Sequence, residues 1–248
     1  MNIKDFFDKL RKASLSRGYT CDSCGAEIFD YPEHRFCAAC DGRMPTAKRT
    51  CPKCGRETLA EGVCLTCKSQ TPKFTRGISA FPYKSEAAVA VNRMKNGNAR
   101  LAAYFGEKMA DRFLELCVEH GEEPYLILPV PLTESRRTER GYNQAERLAE
   151  SFHNRLTEKG IAAELDFAVL EKCKETALQK EKRGKERTEN AQGAYHLHKR
   201  KACENRKILL IDDILTTGAT GSECARKLLN AGAKEVIFIV AAALPEKK

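Results

Sequence analysis

One stretch of the sequence, Ile208-Leu-Leu-Ile-Asp-Asp-Ile-Leu-Thr-Thr-Gly-Ala-Thr220, decides the fold of this 248-residue chain. It begins as an apolar strand, passes through two adjacent carboxylates and ends in a turn of threonine and glycine. Backbone N–H groups at such a turn, and at the start of the helix that follows, form an anion site. The glycine lets the backbone approach a ligand closely, and the threonine hydroxyls add donors. The stretch therefore predicts a phosphate site at the end of a buried strand.

The two acids of this stretch, Asp212 and Asp213, would repel a phosphate, so we expect them to contact another part of the same ligand. Carboxylates accept hydrogen bonds from sugar hydroxyls, as an acidic residue does for ribose in dinucleotide-binding folds. A ribose that carries a 5′-phosphate therefore satisfies the whole stretch. The stretch is not a Walker loop, because no Lys follows the glycine before Ser222, and it is not a Gly-x-Gly-x-x-Gly fingerprint.

Apolar strands alternate with amphipathic helices around this stretch. The predicted strands are 77–83, 125–131, 207–211 and 235–244, and the predicted helices are 86–94, 100–118, 143–156 and 221–231. The alternation predicts an α/β fold, a mostly parallel sheet with helices on both faces. Ligands bind beyond the carboxyl ends of the strands in such sheets. We therefore expect the site to be formed by 131–141 and 212–220.

Cysteine is concentrated near the N-terminus, where eight of the 12 cysteines form four Cys-x-x-Cys pairs. Two such pairs place four sulfurs around one tetrahedral zinc ion at about 2.3 Å. We expect two structural zinc ribbons, whose ligands are Cys21, Cys24, Cys37, Cys40, Cys51, Cys54, Cys64 and Cys67. The spacing alone also allows the pairs to interleave. Because thiolates fill every position, the predicted role of the metal is folding of a segment too short to build its own core.

Positive charge is concentrated in the second half of the chain. The net charge is +9, and residues 172–207 hold 12 Lys/Arg against 5 Asp/Glu. Such a segment indicates phosphate partners, in a small ligand or in nucleic acid, or else a solvated loop.

No segment has the composition of a membrane span or a signal peptide. The longest apolar run, Val236 to Leu244, has nine residues, whereas a spanning helix needs about 20. The charged N-terminus lacks an apolar stretch. We therefore expect a cytoplasmic protein with two domains: an N-terminal helix and double zinc ribbon over 1–72, and the α/β domain over 73–248.

The stretch ending at Thr220 resembles the ribose-phosphate motif of type I phosphoribosyltransferases, which is a strand, two acids and Thr-Thr-Gly-x-Thr. Three further stretches make the chain similar to the ComF family, competence-related proteins with a zinc ribbon before such a domain. They are Val130-Pro-Leu-Thr-Glu-Ser-Arg-Arg-Thr-Glu-Arg-Gly-Tyr-Asn-Gln144, Met94-Lys-Asn-Gly97, and Thr176-x-x-Gln179 followed by Arg187-x-x-Asn190-x-x-Gly-Ala-Tyr195. The chain departs from the family pattern at Tyr142, in place of Phe, at Asn96, in place of an aromatic residue, and at Lys172, in place of Arg.

The resemblance implies that the fold is the type I phosphoribosyltransferase fold and that the ligand is phosphoribosyl pyrophosphate with Mg²⁺. The implied catalytic residues are Asp212 and Asp213, which would hold the ribose hydroxyls. The 5′-phosphate would be held by Thr216, Thr217, Gly218, Ala219 and Thr220. The pyrophosphate would meet the loop 132–141 through Arg136, Arg137 and Arg140. A basic hood would close over the site, with Gln179, Arg187 and Asn190.

The resemblance favours a protein that binds phosphoribosyl pyrophosphate and acts in competence-linked DNA uptake, with single-stranded DNA and the uptake machinery as partners. The alternative is an active phosphoribosyltransferase of nucleotide or amine metabolism with no role in DNA handling. Catalysis and the phosphoribosyl acceptor stay open at this point. Aromatic residues make up only 7% of the chain, without Trp, which weighs against stacking of single-stranded bases.

Overall fold

The computed structural model describes residues 19–28, 36–117, 123–173 and 193–246. Its elements in chain order are β1 (Tyr19–Thr20), β2 (Glu27–Ile28), α1 (Ala38–Asp41), α2 (Leu65–Ser69), β3 (Arg76–Pro82), α3 (Ser85–Lys95), α4 (Leu101–Leu116), β4 (Tyr125–Pro129), α5 (Glu134–Arg140), α6 (Gln144–Glu158), β5 (Ala163–Leu165), β6 (Leu170–Lys172), β7 (Tyr195–Leu197), a 3₁₀ turn (Arg200–Cys203), β8 (Lys207–Leu215), α7 (Ala219–Leu229) and β9 (Glu235–Ala243). Five strands form one sheet in the order β3-β9-β8-β4-β5, and each neighbouring pair is parallel. The predicted α/β fold is confirmed.

Both faces of the sheet are covered, because neighbouring residues of a strand point to opposite faces. Leu209 and Ile211 of β8 pack with α3, α4 and α6 on one side, here called the α4 face. Ile208 and Leu210 pack with α7 on the other side, here called the α7 face. All four side chains are fully buried, which explains why the sequence of β8 is continuously apolar rather than alternating.

The predicted strands and helices are present, with two informative differences. β8 does not end at residue 211 but continues through both acids, since its backbone stays paired with β9 as far as Leu215 opposite Ala243. The segment 132–141, expected as a loop, contains α5, which ends at Gly141 in the left-handed conformation (φ 76°).

After residue 73, three strands were not predicted: β5, β6 and β7. Each has three residues, which is too short to leave a periodic pattern in the sequence. β6 and β7 form an antiparallel pair outside the main sheet. Among the described residues, none of the helices has the length and apolar character needed to cross a membrane.

The N-terminal region is built around two groups of four cysteines on opposite faces of the sheet. The first cluster is Cys21, Cys24, Cys37 and Cys40, and the second cluster is Cys51, Cys54, Cys64 and Cys67. Members of the first cluster pack into the core of the α4 face, whereas the whole second cluster packs into the core of the α7 face. The division of the chain at residues 72 and 73 stays a prediction, and the N-terminal helix predicted ahead of Cys21 lies outside the described residues.

Candidate functional site

The carboxyl edge of the sheet carries the turn that the sequence singles out. The chain leaves β8, turns over residues 216–218 and enters α7 at Ala219. Gly218 is the N-cap of α7, with a φ of 83° that residues with a Cβ rarely adopt. The Thr217 hydroxyl accepts from the Ala219 N–H at 3.3 Å. Since a helix leaves its first N–H groups without intrahelical partners, residues 216–220, here called the phosphate turn, present donors to an anion.

The two acids before the turn point to opposite faces of the sheet. The Asp213 carboxylate faces α3, where its Oδ2 lies 2.9 Å from Lys95 Nζ. The Asp212 carboxylate accepts from the Asp213 backbone N–H at 2.8 Å. Burial, and then the charge of Asp213, raise the pKa of Asp212 to about 7. One acid is therefore paired with a lysine, while the pKa of its neighbour is raised toward neutral pH.

The β6–β7 pair covers the α7 face of this edge. Lys172 and Tyr195 are paired across the two strands, and Lys172 Nζ lies 5.3 Å from the centre of the Tyr195 ring. Burial, and then the charge of Arg136, lower the pKa of Lys172, whereas Asp212 raises it. Lys172 of β6 thus brings positive charge toward Asp212, and the charge of Arg136 from α5 acts on Lys172.

The three arginines predicted to bind pyrophosphate have different surroundings on α5. Arg137 is held by Glu146 through two hydrogen bonds of 3.0 and 3.1 Å. Arg140 donates to the Gln144 side chain at 3.1 Å. Arg136 is the member whose charge acts on Lys172 of β6. Their role in ligand binding stays a prediction, with Arg136 the best placed of the three.

The predicted hood residues Gln179, Arg187 and Asn190 lie outside the described residues. The structure brings in other residues instead: Lys95, Lys172, Tyr195 and Thr133. Thr133 is the N-cap of α5, is buried, and its Oγ1 has no hydrogen-bond partner among the described residues. Sequence reasoning missed these as site residues because a single lysine, tyrosine or threonine carries no spacing signal. Only the family resemblance drew attention to Lys95 and Lys172.

The two cysteine clusters have the geometry of tetrahedral metal sites. The ligand atoms of each cluster all lie within 4.8 Å of one another. Four sulfurs at about 2.3 Å from a zinc ion stand about 3.8 Å apart, and the structure gives 3.8 Å from Cys24 Sγ to Cys37 Sγ and 3.7 Å from Cys54 Sγ to Cys64 Sγ. Four thiols without a His or carboxylate suit a closed, structural zinc site. The cysteine pairs group in sequence order and do not interleave.

The second cluster reaches the phosphate turn through Arg56, which follows the first cysteine pair of that cluster. Arg56 Nε donates to Cys54 Sγ at 3.4 Å, and Arg56 Nη2 donates to the Thr216 carbonyl oxygen at 2.7 Å. The sequence gives no sign of this contact, because Arg56 is one of several basic residues in the ribbon and its partner lies 160 residues away.

Comparison with known proteins finds one domain model and several relatives that are similar to this chain. The model of the phosphoribosyl transferase domain matches residues 141–248. Competence protein F of Haemophilus influenzae is 25% identical over 229 residues, covering 90% of this chain and 89% of that protein. Competence protein ComFC of Bacillus subtilis is 25% identical, covering 81% of this chain and 80% of that protein. DNA utilization protein YhgH of Escherichia coli O157:H7 is 26% identical, covering 81% of this chain and 87% of that protein. With the parallel sheet and the two four-cysteine clusters, these matches show a phosphoribosyl transferase domain behind a zinc-ribbon type of N-terminal region, in a chain that is similar over most of its length to proteins named for competence and DNA utilization.

Proposed function

We propose that the chain binds phosphoribosyl pyrophosphate at the carboxyl edge of its sheet and that this binding serves the handling of DNA during competence-linked uptake. One observation carries the proposal that this ligand binds. Two acids and an N–H-rich turn lie together at the end of β8, and the side chains of Lys95 and Lys172 bring positive charge to them. The relatives named Competence protein F and DNA utilization protein support the proposed role in DNA handling.

The ligand fits the edge group by group. Its 5′-phosphate would accept from the N–H groups of the phosphate turn, and its ribose hydroxyls would donate to Asp212 and Asp213. Its pyrophosphate would lie toward α5, near Arg136 and the unpartnered Thr133 hydroxyl. Bound Mg²⁺ would add positive charge to the pyrophosphate. Zinc at the two cysteine clusters would serve folding.

The acid pair also suits proton transfer beside the ribose. Because the pKa of Asp212 lies at about 7, this carboxyl can hold or release a proton at physiological pH. Lys95 Nζ, 2.9 Å from Asp213 Oδ2, holds the neighbouring carboxylate in place. Such a pair supports the second candidate function, transfer of the phosphoribosyl group to a nitrogen acceptor in nucleotide or amine metabolism.

Calorimetric titration of phosphoribosyl pyrophosphate with Mg²⁺ into the zinc-loaded protein tests the ligand. We expect micromolar binding, about −8 kcal/mol, which is lost in the double variant Asp212→Asn/Asp213→Asn. The matched control is Glu115→Gln/Glu158→Gln, which removes the same charge from exposed helix positions. Absence of binding to the unmodified protein would contradict the proposal.

Two assays separate the candidate functions. Binding to single-stranded DNA should weaken steeply with salt, because each phosphate that the protein neutralises releases counterions. A flat salt dependence, or no binding at low salt, counts against the DNA role. Pyrophosphate release across a panel of bases, amines and nucleic acids tests the transferase, and the absence of release from every acceptor counts against it.

A further inference from the structure

Arg56 is a buried cation placed between the second cysteine cluster and the phosphate turn. The residue is only 5% exposed. The guanidinium is planar and its donors are fixed in a fork, so donation to Cys54 Sγ on one side fixes the direction of donation to the Thr216 carbonyl on the other.

Arg56 donates to Cys54 Sγ, one of the four sulfurs that would hold the zinc ion. A buried cation without an anionic partner is strongly destabilising. Four thiolates around a zinc ion leave about two net negative charges, which one guanidinium partly balances. Metal binding and the placement of Arg56 are therefore linked.

The Thr216 carbonyl controls a donor of the phosphate turn. The peptide bond between Thr216 and Thr217 is planar and trans, so its C=O and its N–H point in opposite directions. When Arg56 holds the Thr216 carbonyl toward the second cluster, the Thr217 N–H must point away from the cluster. The arginine thus sets the orientation of a backbone donor that it does not touch.

Close packing keeps the cluster and the turn in a fixed relation. A Cβ built on Gly55 would lie 2.7 Å from the Gly77 carbonyl oxygen, so the knuckle backbone lies directly against β3. The Lys73 N–H donates to the Ser222 hydroxyl on α7 at 3.0 Å. These contacts leave the guanidinium little room to move relative to the turn.

We infer that Arg56 is a positioning residue for the phosphate turn and that metal binding at the second cysteine cluster, through Arg56, organises this turn for the 5′-phosphate. The inference rests on the proposed function, because it is that function which assigns a phosphate to the turn. Among the described residues, no hydrogen bond links the first cluster to the phosphate turn. The hydrogen bonds of its segment go instead to α3, to the N-cap of α4 and to α4 itself.

The test compares Arg56→Met and Arg56→Lys with Arg49→Met in the zinc-loaded full chain. Met fills much of the space of Arg but donates to neither Cys54 Sγ nor the Thr216 carbonyl oxygen, and Lys keeps the charge but has a single nitrogen that cannot span both partners. Arg49 belongs to the same ribbon, and its side chain is 55% exposed, so Arg49→Met is the control. Zinc content is measured for every variant.

Hydrogen exchange of the ligand-free protein is the first readout. The readout is the amide of Ala219, which is hydrogen-bonded to Thr217 Oγ1 within the phosphate turn. We expect this amide to exchange about tenfold faster in Arg56→Met, less than tenfold faster in Arg56→Lys, and at an unchanged rate in Arg49→Met. β8 and α7 beyond the turn should keep their protection. Unchanged exchange at the turn in Arg56→Met with two zinc ions bound would overturn the inference. If Arg56→Met loses zinc, Arg56→Lys decides, and unchanged exchange in that variant with full zinc content overturns it.

Affinity for phosphoribosyl pyrophosphate with Mg²⁺ is the second readout. We expect about a tenfold loss in Arg56→Met, equal to about 1.4 kcal/mol, and no loss in Arg49→Met. If the unmodified protein does not bind this ligand, the proposed function fails, while the exchange measurement still decides whether Arg56 orders the turn. Faster exchange at the turn with unchanged affinity would overturn the part of the inference that concerns the phosphate.

Discussion

The two cysteine clusters share one spacing motif and differ in what they hold. The first cluster has one exposed and one half-buried cysteine and lies against the α4 face, whereas all four cysteines of the second cluster are buried. Phe36 beside the first cluster stacks on Tyr104 of α4 at 4.1 Å between ring centres. The second cluster instead contacts the turn that follows β8. Similar knuckles thus contact a helix layer on one side of the sheet and the turn after β8 on the other.

The comparison is tested most strongly by removing one thiol at the equivalent position of each cluster. Cys54→Ser should cost several kcal/mol of stability, because zinc binding supplies folding free energy, and should lower the affinity for phosphoribosyl pyrophosphate at least tenfold. Cys24→Ser should lower stability but leave the affinity within about twofold, since distant sites act independently. Zinc analysis, thermal unfolding and calorimetry measure the three quantities. Equal losses of affinity in the two variants would erase the distinction between the clusters.

Two glycines at equivalent positions give a second matched comparison. Gly25 and Gly55 have φ values of 76° and 75°, but a Cβ would meet nothing within 4 Å at Gly25 and would lie 2.7 Å from the Gly77 carbonyl oxygen at Gly55. Gly25→Ala should therefore cost about 1 kcal/mol of left-handed strain. Gly55→Ala should cost about 3 kcal/mol, because overpacking is added. Denaturant unfolding of both variants measures the difference, and equal costs would mean that the second knuckle can move away from β3.

The adjacent acids Asp212 and Asp213 give a third comparison, in which stability depends on pH. The expected effect is smaller than in the two comparisons above. Folding raises the pKa of Asp212 to about 7, so between about pH 4 and pH 7 the native state binds more protons than the unfolded state. The contribution of this group to stability therefore falls as pH rises through that range. At pH 8, Asp212→Asn should stabilise the ligand-free protein by about 1 to 2 kcal/mol. Asp213→Asn should not, because it removes the partner of Lys95. A loss of stability in Asp212→Asn at pH 8 would contradict this account.

Much of this arrangement can be predicted from local sequence. The continuous apolar runs of β8 and β9 predict buried parallel strands, and the Thr-Thr-Gly turn after β8 predicts the anion site. The cysteine spacing predicts that the eight thiols are metal ligands, although only the structure settles which four group together. These features are local because each depends on residues within a few positions of one another.

The contacts between distant segments could not be predicted in this way. Arg56 meets Thr216 and Lys95 meets Asp213 only after the sheet has brought their elements together. The extension of β8 through Asp212 depends on backbone pairing with β9, which overrides the low strand preference of aspartate. The helix α5 is short and polar, so its sequence resembles that of a loop.

The position of β3 in the sheet has a consequence for the order of synthesis. Within the part of the chain that the structure describes, β3 pairs only with β9, and Glu246 after β9 accepts from the Leu59 and Leu65 N–H groups beside the second cluster at 3.2 and 2.7 Å. A ribosome that has translated as far as α4 has supplied the helix layer that the first cluster packs against. The second cluster emerges soon after the first, yet the segments that cover it, β9 and Glu246, are translated about 180 residues later. A nascent chain therefore exposes the apolar surface beside its second cluster until β9 leaves the exit tunnel, and exposed apolar surface of this kind favours misassembly.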